Sequence, residues 1–471
     1  MKKKLLINIF SLIVFITVLL TIMEVVKLDV LPNKYLYLFI GLELIVFILG
    51  LVLYNLKKKV FVILGIIIYI ISILGNIFGY YYLSKTNNYI TTSFKKEYYT
   101  EKTIYYVITS KNNSVNKIDE LSKDDNIIYY KYSKLIDKAL KKLGNYKYQD
   151  TDNALWATTS IKDNNGYFLI GKANYDYFFN STNTDSNYKD NFKIIYEFEV
   201  TDKVLVNKKV KDSYNIYING LDFTGVMRDY NLIVTVNTKT KKVVLTSIPR
   251  DYYVDVPQYN MKDTLMCLGS LDSEVSKEAL ENLFNTKIDY TINLNTTSLV
   301  NIVDSIGGVN FCSDYDFTTT HSLVLDTYND STGKKLHVTK GCREYNGIET
   351  LAIARERNAF PGRDRYRQKN CRQILINITK KLASTTTLSN YDEVLKSFDG
   401  LYTTDMNDKV IKQLIKTYIN DPNFEIIEQS VDGTDGLGIG HLGTQESWIM
   451  NPDMNTVNPA SDKINQVLKE K

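Results

Sequence analysis

The chain has 471 residues, of which 44% are apolar, and a formal net charge of +4. This length exceeds that of one ordinary domain, and the apolar fraction is sufficient for packed cores. The basic excess is small and local, and the sequence contains neither a zinc-finger spacing nor an aromatic RNA-binding signature, so nucleic acid is excluded as a partner.

Three apolar stretches within residues 1–85 predict three transmembrane helices, at residues 5–23, 36–56 and 60–83. Each stretch has about the 20 residues that a helix needs to cross a bilayer. Lysine clusters at residues 2–4 and 57–59 flank the stretches, and the positive-inside rule places both clusters in the cytoplasm and everything after Leu83 outside. A cleaved signal peptide is the alternative for the first stretch, but that stretch lacks a small-residue cleavage site and two further spans follow.

Glu43 lies inside the second predicted span, where an ionisable side chain is costly. One interpretation is a proton site or a contact with a partner protein. The other is a protonated carboxyl group that is hydrogen-bonded to a neighbouring helix. We favour the second, because buried carboxyl groups in membranes are usually satisfied in this way.

Residues 86–102 are polar and predict a stalk, and residues 103–210 predict a small extracellular α/β accessory domain. Residues 104–108 and 192–200 have strand-like patterns, and residues 132–143 have helical spacing. Because this segment contains no arginine, histidine or cysteine, we expect it to have a binding or spacing role without chemistry.

Residues 211–471 predict a larger α/β domain with a mixed central sheet between helices. The predicted strands lie at residues 214–218, 231–236, 243–248 and 290–294. The predicted helices lie at residues 276–284, 298–306, 347–355 and 365–383. A further helix, a strand at residues 424–431 and a final helix follow.

Arginine is confined to one part of the chain. All nine arginines lie between Arg228 and Arg372, and six of them lie between Arg355 and Arg372, whereas lysine occurs throughout. A guanidinium group can bind two oxygens of a phosphate or carboxylate at once, which an ammonium group cannot. The three histidines have no spaced partners for zinc or for a nucleophilic triad.

Acidic and basic side chains at strand and helix ends predict an anion site. Asp222, Asp229 and Arg250 follow or precede buried strands, and ligands collect at such positions in open α/β sheets. The run from Arg355 to Arg367 ends one helix and begins the next, where a helix N-terminus also attracts anions. A diphosphate held by several arginines, with a divalent metal on Asp222 or Asp229, is the favoured hypothesis. The alternative is a set of structural ion pairs with Asp251, Glu356 and Asp364.

These segments resemble the LytR-CpsA-Psr family of cell-wall glycopolymer ligases. The match rests on five runs in a fixed order: NIYINGLD at 215–222, DYNLIVTVN at 229–237 continuing to IPRD at 248–251, GGV at 307–309, AIARER at 352–357 and GRDRYR at 362–367. The three spans and the small extracellular domain look like the capsule-associated branch of the family.

The resemblance implies an α/β/α sandwich that holds a polyprenyl-diphosphate-linked glycan with its lipid in an apolar tunnel. It also implies transfer of the glycan phosphate, a capsular polysaccharide or a teichoic-acid-like polymer, to peptidoglycan, with magnesium, or manganese in its place. It further implies the cell membrane of a Gram-positive bacterium. Two alternatives stay open: a protein that binds or senses polyprenyl diphosphates without transfer, and a diphosphatase that releases the polymer.

The same resemblance assigns roles to individual residues. A metal is expected at Asp222 and Asp229, and Asp229 is also expected to act as a base. Catalytic roles are expected for Asp229, Arg250 and Arg355. Diphosphate binding is expected for a set of arginines: Arg228, Arg250, Arg355, Arg357, Arg365 and Arg367.

Some positions depart from the family pattern. Many members have a lysine and a histidine where this chain has Thr264 and Cys267, and a frequent glutamine is replaced by Cys371. Cys267 and Cys371 both stand at positions expected near the site, and Cys312 and Cys342 bracket an insertion. We therefore predict the disulfides Cys267–Cys371 and Cys312–Cys342, with buried free thiols as the alternative.

Overall fold

The computed structural model describes residues 2–56, 58–94, 98–180, 188–206, 209–222, 227–271, 273–324, 333–382, 391–397, 402–440 and 446–471. Lys57 and residues 95–97, which belong to the predicted lysine cluster and stalk, lie outside these ranges. The chain forms two compact units. One contains residues 1–97, 206–211 and 406–425, and the other contains residues 98–205, 212–405 and 426–471. The predicted domain limits at 85, 102 and 210 stay predictions.

The first unit contains three long apolar helices, α1 (Lys2–Leu28), α2 (Asn33–Asn55) and α3 (Lys59–Phe94). All three are long and apolar enough to cross a membrane. The α3 helix continues beyond the predicted end of the third apolar stretch at Leu83. The amide of Asn76 in α3 donates a hydrogen bond to Glu43 in α2 at 3.3 Å, which supplies the contact with a neighbouring helix that the favoured interpretation of Glu43 requires.

A five-stranded sheet begins the second unit. Its strands follow the order β3-β2-β4-β1-β5, with β2 parallel to β3 and β4, and β1 antiparallel to β4 and β5. Buried aromatic and aliphatic side chains on both faces pack against the helices. The elements are β1 (Tyr98–Ser110), β2 (Asn126–Tyr130), α4 (Ile136–Leu143), β3 (Lys147–Thr151), α5 (Ala154–Asn164), β4 (Tyr167–Gly171), α6 (Lys172–Asn180) and β5 (Phe192–Leu205).

The remainder of the chain contributes the next elements in this order: β6 (Ser213–Leu221), β7 (Arg228–Asn237), β8 (Lys242–Ile248), β9 (Tyr253–Val256), β10 (Met261–Thr264), α7 (Ser273–Leu283), β11 (Tyr290–Leu294), α8 (Thr296–Ser305), β12 (Val309–Ser313), β13 (Phe317–Ser322), β14 (Lys335–Val338), β15 (Gly341–Tyr345), α9 (Gly347–Arg355), α10 (Asp364–Leu382), α11 (Tyr391–Ser397), β16 (Tyr402–Thr404), α12 (Asp408–Asn420), β17 (Glu425–Ser430), β18 (Gly433–Ile439), β19 (Glu446–Pro452) and α13 (Met454–Lys469). The α12 helix belongs to the first unit.

A six-stranded mixed sheet, in the order β16-β11-β6-β7-β8-β17, forms the centre of this region. The β6 strand is parallel to β11 and antiparallel to β7. Side chains alternate between the two faces of a strand. Tyr217, Ile233 and Ile248 therefore share one face and form a core with α7 and α13, whereas Ile218 and Ile292 face α8, α9 and α10. This arrangement confirms the predicted α/β/α sandwich with a mixed central sheet.

Candidate anion site at the end of an apolar cavity

A cavity of about 360 Å³ lies between the central sheet and helices α8, α9 and α10. Its walls are mainly aliphatic because the sheet and the helices present apolar side chains to each other across this space. Asp229, Arg355 and Arg367 line the same cavity. The wall includes Ile218, Ile292, Leu299, Leu351, Ile374 and Ile378.

Local sequence determines where α9 ends and therefore where its arginines lie. The Asn346 side chain accepts a hydrogen bond from the Glu349 amide at 3.0 Å, and the Glu349 carboxylate accepts one from the Asn346 amide at 3.1 Å, so the pair caps the helix reciprocally. Gly347 lets α9 approach α8 closely, since a Cβ at this position would lie 2.3 Å from the Val300 carbonyl oxygen. The helix ends at Arg355, which faces the cavity.

Glu356 organises the turn between Arg355 and Arg357. Its side chain is fully buried and accepts hydrogen bonds from the Thr320 amide at 2.5 Å and from the Ala359 amide at 2.9 Å. These bonds satisfy the buried carboxylate and hold the turn after α9 against β13. Glu356 therefore orders the loop, and this was not expected from the sequence, which suggested an ion pair with an arginine.

Asp229 lies at the charged end of the cavity with two arginines in direct contact. Arg250 forms a hydrogen-bonded ion pair with the Asp229 carboxylate. Arg367, only 5% exposed, donates from Nη2 to the Asp229 carbonyl oxygen at 2.6 Å. Burial opposes ionisation of Asp229, but the charges of Arg250, Arg367 and Arg357 outweigh it and hold the pKa of this carboxyl below its ordinary value.

Arg357 lies close enough to Arg250 and Arg367 to be repelled by their charges. Burial, and then the charges of Arg250 and Arg367, lower the pKa of Arg357 from its ordinary value. A nearby anion would relieve this repulsion. The structure thus places Arg250 and Arg367 in contact with Asp229, Arg357 within its electrostatic influence, and Arg355 on the wall of the same cavity.

Two carboxylates, Asp251 and Asp364, belong to the same cluster. Arg250 Nε lies 3.4 Å from Asp251 Oδ1, and Arg367 Nη2 lies 2.5 Å from Asp364 Oδ1. The structural ion pairs that formed the alternative hypothesis are therefore present for these two arginines. They position the guanidinium groups, and burial raises the pKa of Asp251, which weakens its compensation of the positive charge.

Asp222 follows β6 at the start of the segment that leads into β7. Its side chain is 8% exposed, and its Oδ1 accepts a hydrogen bond from the Met227 amide at 3.0 Å. This contact joins the end of β6 to the residue before β7. Residues 223–226, between these two positions, lie outside the described ranges.

Two predicted diphosphate-binding arginines are not brought to the cluster. The guanidinium of Arg228 lies over the ring of Tyr217, 5.9 Å from its centroid, in the core that faces α7 and α13. Arg365 is directed outward, where its Nε donates to Asp432 Oδ1 at 2.7 Å. Two physical reasons explain this. In β7 a bulge at Asp229 interrupts the alternation, so that Asp229 and Tyr230 both line the cavity and Arg228 lies on the other side of the sheet. Arg365 and Arg367 lie about 200° apart around a helix.

One of the two predicted disulfides is present and the other is not. The disulfide Cys312–Cys342 is present and joins the paired strands β12 and β15, which confirms that prediction. The predicted bridge Cys267–Cys371 is wrong, because both residues are free thiols. Cys267 is in the core region beside α7, whereas Cys371 lines the cavity on the opposite face of the sheet and donates to the Ala354 carbonyl at 3.3 Å.

His321, which sequence reasoning set aside, lies within the electrostatic environment of the site. Burial lowers its pKa, the Glu356 carboxylate opposes this, and the charges of Arg355 and Arg357 add to the lowering. The imidazole is therefore held neutral near pH 7. No spacing in the sequence pointed to this residue, because it is brought near the α9 arginines only by the tertiary packing of β13.

Comparison with known proteins gives a family match over more than half of the chain. The model of the LytR_cpsA_psr family matches residues 175–464. The polyisoprenyl-teichoic acid–peptidoglycan teichoic acid transferase TagU of Enterococcus faecalis is 26% identical over 216 residues, which cover 44% of this chain and 67% of that protein. TagU of Bacillus anthracis is 30% identical over 209 residues, which cover 43% and 64%. The chain thus spans about two thirds of the length of these relatives.

Solved structures of lower similarity also match. The crystal structure of B. subtilis TagV has a TM-score of 0.45 at 20% identity, with 56% of this chain and all of that chain covered. A structure described as TagT bound to LIIa-WTA has a TM-score of 0.44 at 20% identity, with 56% of this chain and 96% of that chain covered.

Proposed function

The chain belongs to the LytR_cpsA_psr family, and from this premise we propose that it is a membrane-anchored phosphotransferase that joins a glycopolymer to peptidoglycan. Its donor would be a polyprenyl-diphosphate-linked glycan, either a capsular polysaccharide or a teichoic-acid-like polymer. The observation that carries the proposal is the apolar cavity that ends at Asp229 and its arginines. A lipid diphosphate matches this arrangement, because its apolar chain is joined to a compact anionic headgroup.

The proposed reaction uses the charged side chains at the end of the cavity. A hydroxyl oxygen of peptidoglycan attacks the phosphorus that bears the glycan, and a new P–O bond forms. The P–O bond to the second phosphate breaks, and polyprenyl phosphate leaves. Asp229 accepts the hydroxyl proton, and Arg250, Arg355, Arg357 and Arg367 stabilise the charge on the leaving phosphate.

A divalent cation would be held jointly by the protein and the substrate. Within the described ranges, no group of three His, Cys, Asp or Glu side chains could bind a metal alone. Mg²⁺ commonly takes one or two carboxylates together with phosphate oxygens, so Asp222 and Asp229 would hold Mg²⁺, or Mn²⁺, beside a bound diphosphate. When bound, the ion neutralises charge on the diphosphate. Chelation should therefore abolish transfer, and added Mg²⁺ should restore it.

Membrane attachment and an extracellular location complete the proposal. The helices α1, α2 and α3 are long and apolar enough to form three spans. The lysine clusters at residues 2–4 and 57–59 favour a cytoplasmic position for both ends that carry them. With an odd number of spans and both lysine clusters in the cytoplasm, we infer that the rest of the chain lies outside, on the side of the membrane where peptidoglycan is found. Protease added to spheroplasts should digest residues 86–471 and spare the membrane-embedded fragment. Full protection of this region would contradict the orientation.

Three activities can be distinguished in one experiment. The full chain in detergent is incubated with a labelled lipid-linked glycan, peptidoglycan fragments and Mg²⁺. A ligase yields a covalent glycan–peptidoglycan product, a diphosphatase yields free polymer phosphate, and a binding protein leaves the substrate unchanged. Absence of the covalent product, with either other result, would contradict the proposal.

A further inference from the structure

The β18–β19 hairpin carries an apolar face that is exposed to solvent. Leu437 and Trp448 are cross-strand partners, so their side chains lie on the same face, and Ile439 faces the same way two residues further on. Their exposed fractions are 62% for Leu437, 54% for Trp448 and 55% for Ile439. A patch of three large, exposed apolar side chains is typical of a surface that binds another molecule.

This hairpin is joined to the segment that carries Arg250. The Met450 amide donates to the Asp251 carbonyl oxygen at 2.8 Å, and the Tyr253 hydroxyl donates to the Ile439 carbonyl oxygen at 2.9 Å. Asp251 follows Arg250 directly. The hairpin is therefore hydrogen-bonded to the residue that follows Arg250, and none of its described residues lines the cavity.

A second connection reaches the arginines of α10. Arg365 donates from Nε to Asp432 Oδ1 at 2.7 Å and from Nη2 to the Gly433 carbonyl oxygen at 3.3 Å, at the first residue of β18. Arg365 is two residues from Arg367, which contacts Asp229. The hairpin base is thus held by both segments that supply arginines to the site.

The chemistry of the face fits a neutral sugar chain. Pyranose rings present C–H groups on their faces, and these pack against the electron-rich face of an indole ring and against aliphatic side chains. The charged residues within β18 and β19 are Asp435 and Glu446, both acidic. They can accept hydrogen bonds from sugar hydroxyls and amides, and they disfavour a polyphosphate chain or an anionic lipid surface.

We propose that the face formed by Leu437, Ile439 and Trp448 docks the glycan strand of the peptidoglycan acceptor. The inference rests on the proposed transferase function, because it assigns the acceptor to one side of the same site. The lipid-linked donor would occupy the cavity, so an acceptor must approach the phosphorus from outside. The hairpin base is bonded to Asp251 and Arg365, which neighbour Arg250 and Arg367 in the chain. Contacts with the hairpin would hold the attacking hydroxyl toward Asp229.

Tryptophan fluorescence tests the docking directly, since the chain has only two tryptophans, Trp156 and Trp448. In the full chain with Trp156→Phe, a peptidoglycan tetrasaccharide should change the Trp448 emission saturably. Trp156 is 45% exposed on α5, so the Trp448→Phe variant is a matched control whose emission should not respond. This measurement does not require transfer, so it remains informative even if the proposed reaction fails.

Kinetics supply the second readout. Trp448→Ala should raise the KM for the acceptor about tenfold, as expected when an aromatic contact at an interface is lost, and leave the KM for the lipid-linked donor unchanged. Trp448→Tyr should retain most of the wild-type behaviour, and Trp156→Ala should change neither constant. The proposal is overturned if the acceptor does not alter Trp448 emission and the KM for the acceptor is unchanged in Trp448→Ala. It is also overturned if the donor polymer alone produces the response, or if emission changes with protein concentration in the absence of sugar.

Discussion

At the residue scale, Arg367 illustrates how the site combines structural and functional roles. It is buried, pairs with Asp364 and donates to the Asp229 backbone, and it also lines the cavity. Its Nε is buried and has no hydrogen-bond acceptor among the described residues. A buried donor without an acceptor is costly, and a phosphate oxygen placed beside it would remove that cost.

The first prediction concerns this guanidinium group. Arg367→Lys should retain the positive charge but lose the Nε–H donor of the guanidinium group. It should weaken binding of a polyprenyl diphosphate by about 2–3 kcal/mol, or roughly 30- to 150-fold. Binding is measured by isothermal titration with a short-chain prenyl diphosphate. Arg343→Lys, on the exposed strand β15, is the matched control and should bind normally. Equal affinities for the two variants would place the diphosphate elsewhere.

The second prediction concerns Cys371 in the cavity wall. Burial raises the pKa of this thiol to about 12, so the neutral thiol persists at pH 8.5. Because only the thiolate is nucleophilic, iodoacetamide should modify Cys371 about a thousandfold more slowly than an exposed cysteine. Peptide mass spectrometry follows the rate in the native chain, with urea-denatured protein as the control in which labelling is fast. Rapid native labelling would show that the cavity wall is open to solvent.

At the scale of elements, periodicity predicted the parts of the sheet that are buried on both faces. The runs at 214–218, 231–236, 243–248 and 290–294 became β6, β7, β8 and β11, because β-branched and aromatic residues dominate them and favour strands. Short hairpins such as β18–β19 were not predicted. Their strands are half exposed and alternate weakly, and their pairing depends on contacts with distant segments such as Asp251.

The candidate site was predictable only in part, for a related reason. Residue type and spacing identified Asp229, Arg250 and Arg367, but the direction of each side chain depends on register. Arg228 was misplaced because β7 has a bulge at Asp229, and residue spacing alone does not reveal a bulge. The wrong Cys267–Cys371 bridge has a different origin, since two positions expected near one site lie on opposite faces of one sheet.

The third prediction concerns the Cys312–Cys342 disulfide, which closes a loop with a sequence separation of 30. Replacing both cysteines by serine should reduce the free energy of unfolding by about 3–4 kcal/mol, since the unfolded chain regains the entropy of that loop. Urea denaturation measures the change. The pair Cys267→Ser and Cys371→Ser is the comparison, because it removes no cross-link. If the double Cys312→Ser, Cys342→Ser variant were as stable as wild type, the disulfide would not stabilise the fold by restricting the unfolded chain.

At the scale of the whole molecule, the five-stranded sheet is coupled to the six-stranded one through aromatic contacts. Tyr132 follows β2, and its ring lies 5.1 Å from that of Tyr259, between β9 and β10. The segment after β10 then holds the site backbone, since the Met266 amide donates to the Arg250 carbonyl oxygen at 2.8 Å. The ring contact of Tyr259 and the bond from Met266 thus connect the five-stranded sheet to the backbone of Arg250.

The fourth prediction tests that connection. Tyr132→Ala and Tyr259→Ala should each destabilise the chain, and the double variant should lose less than the sum, with a coupling of about 0.5–1.5 kcal/mol. Urea denaturation of the four proteins of the cycle measures this coupling. If the contact also orients Arg250, each single variant should weaken prenyl diphosphate binding by the same factor as the double variant. Additive losses in stability would show that the rings do not interact. Unchanged diphosphate binding would show that the contact with the five-stranded sheet does not orient Arg250.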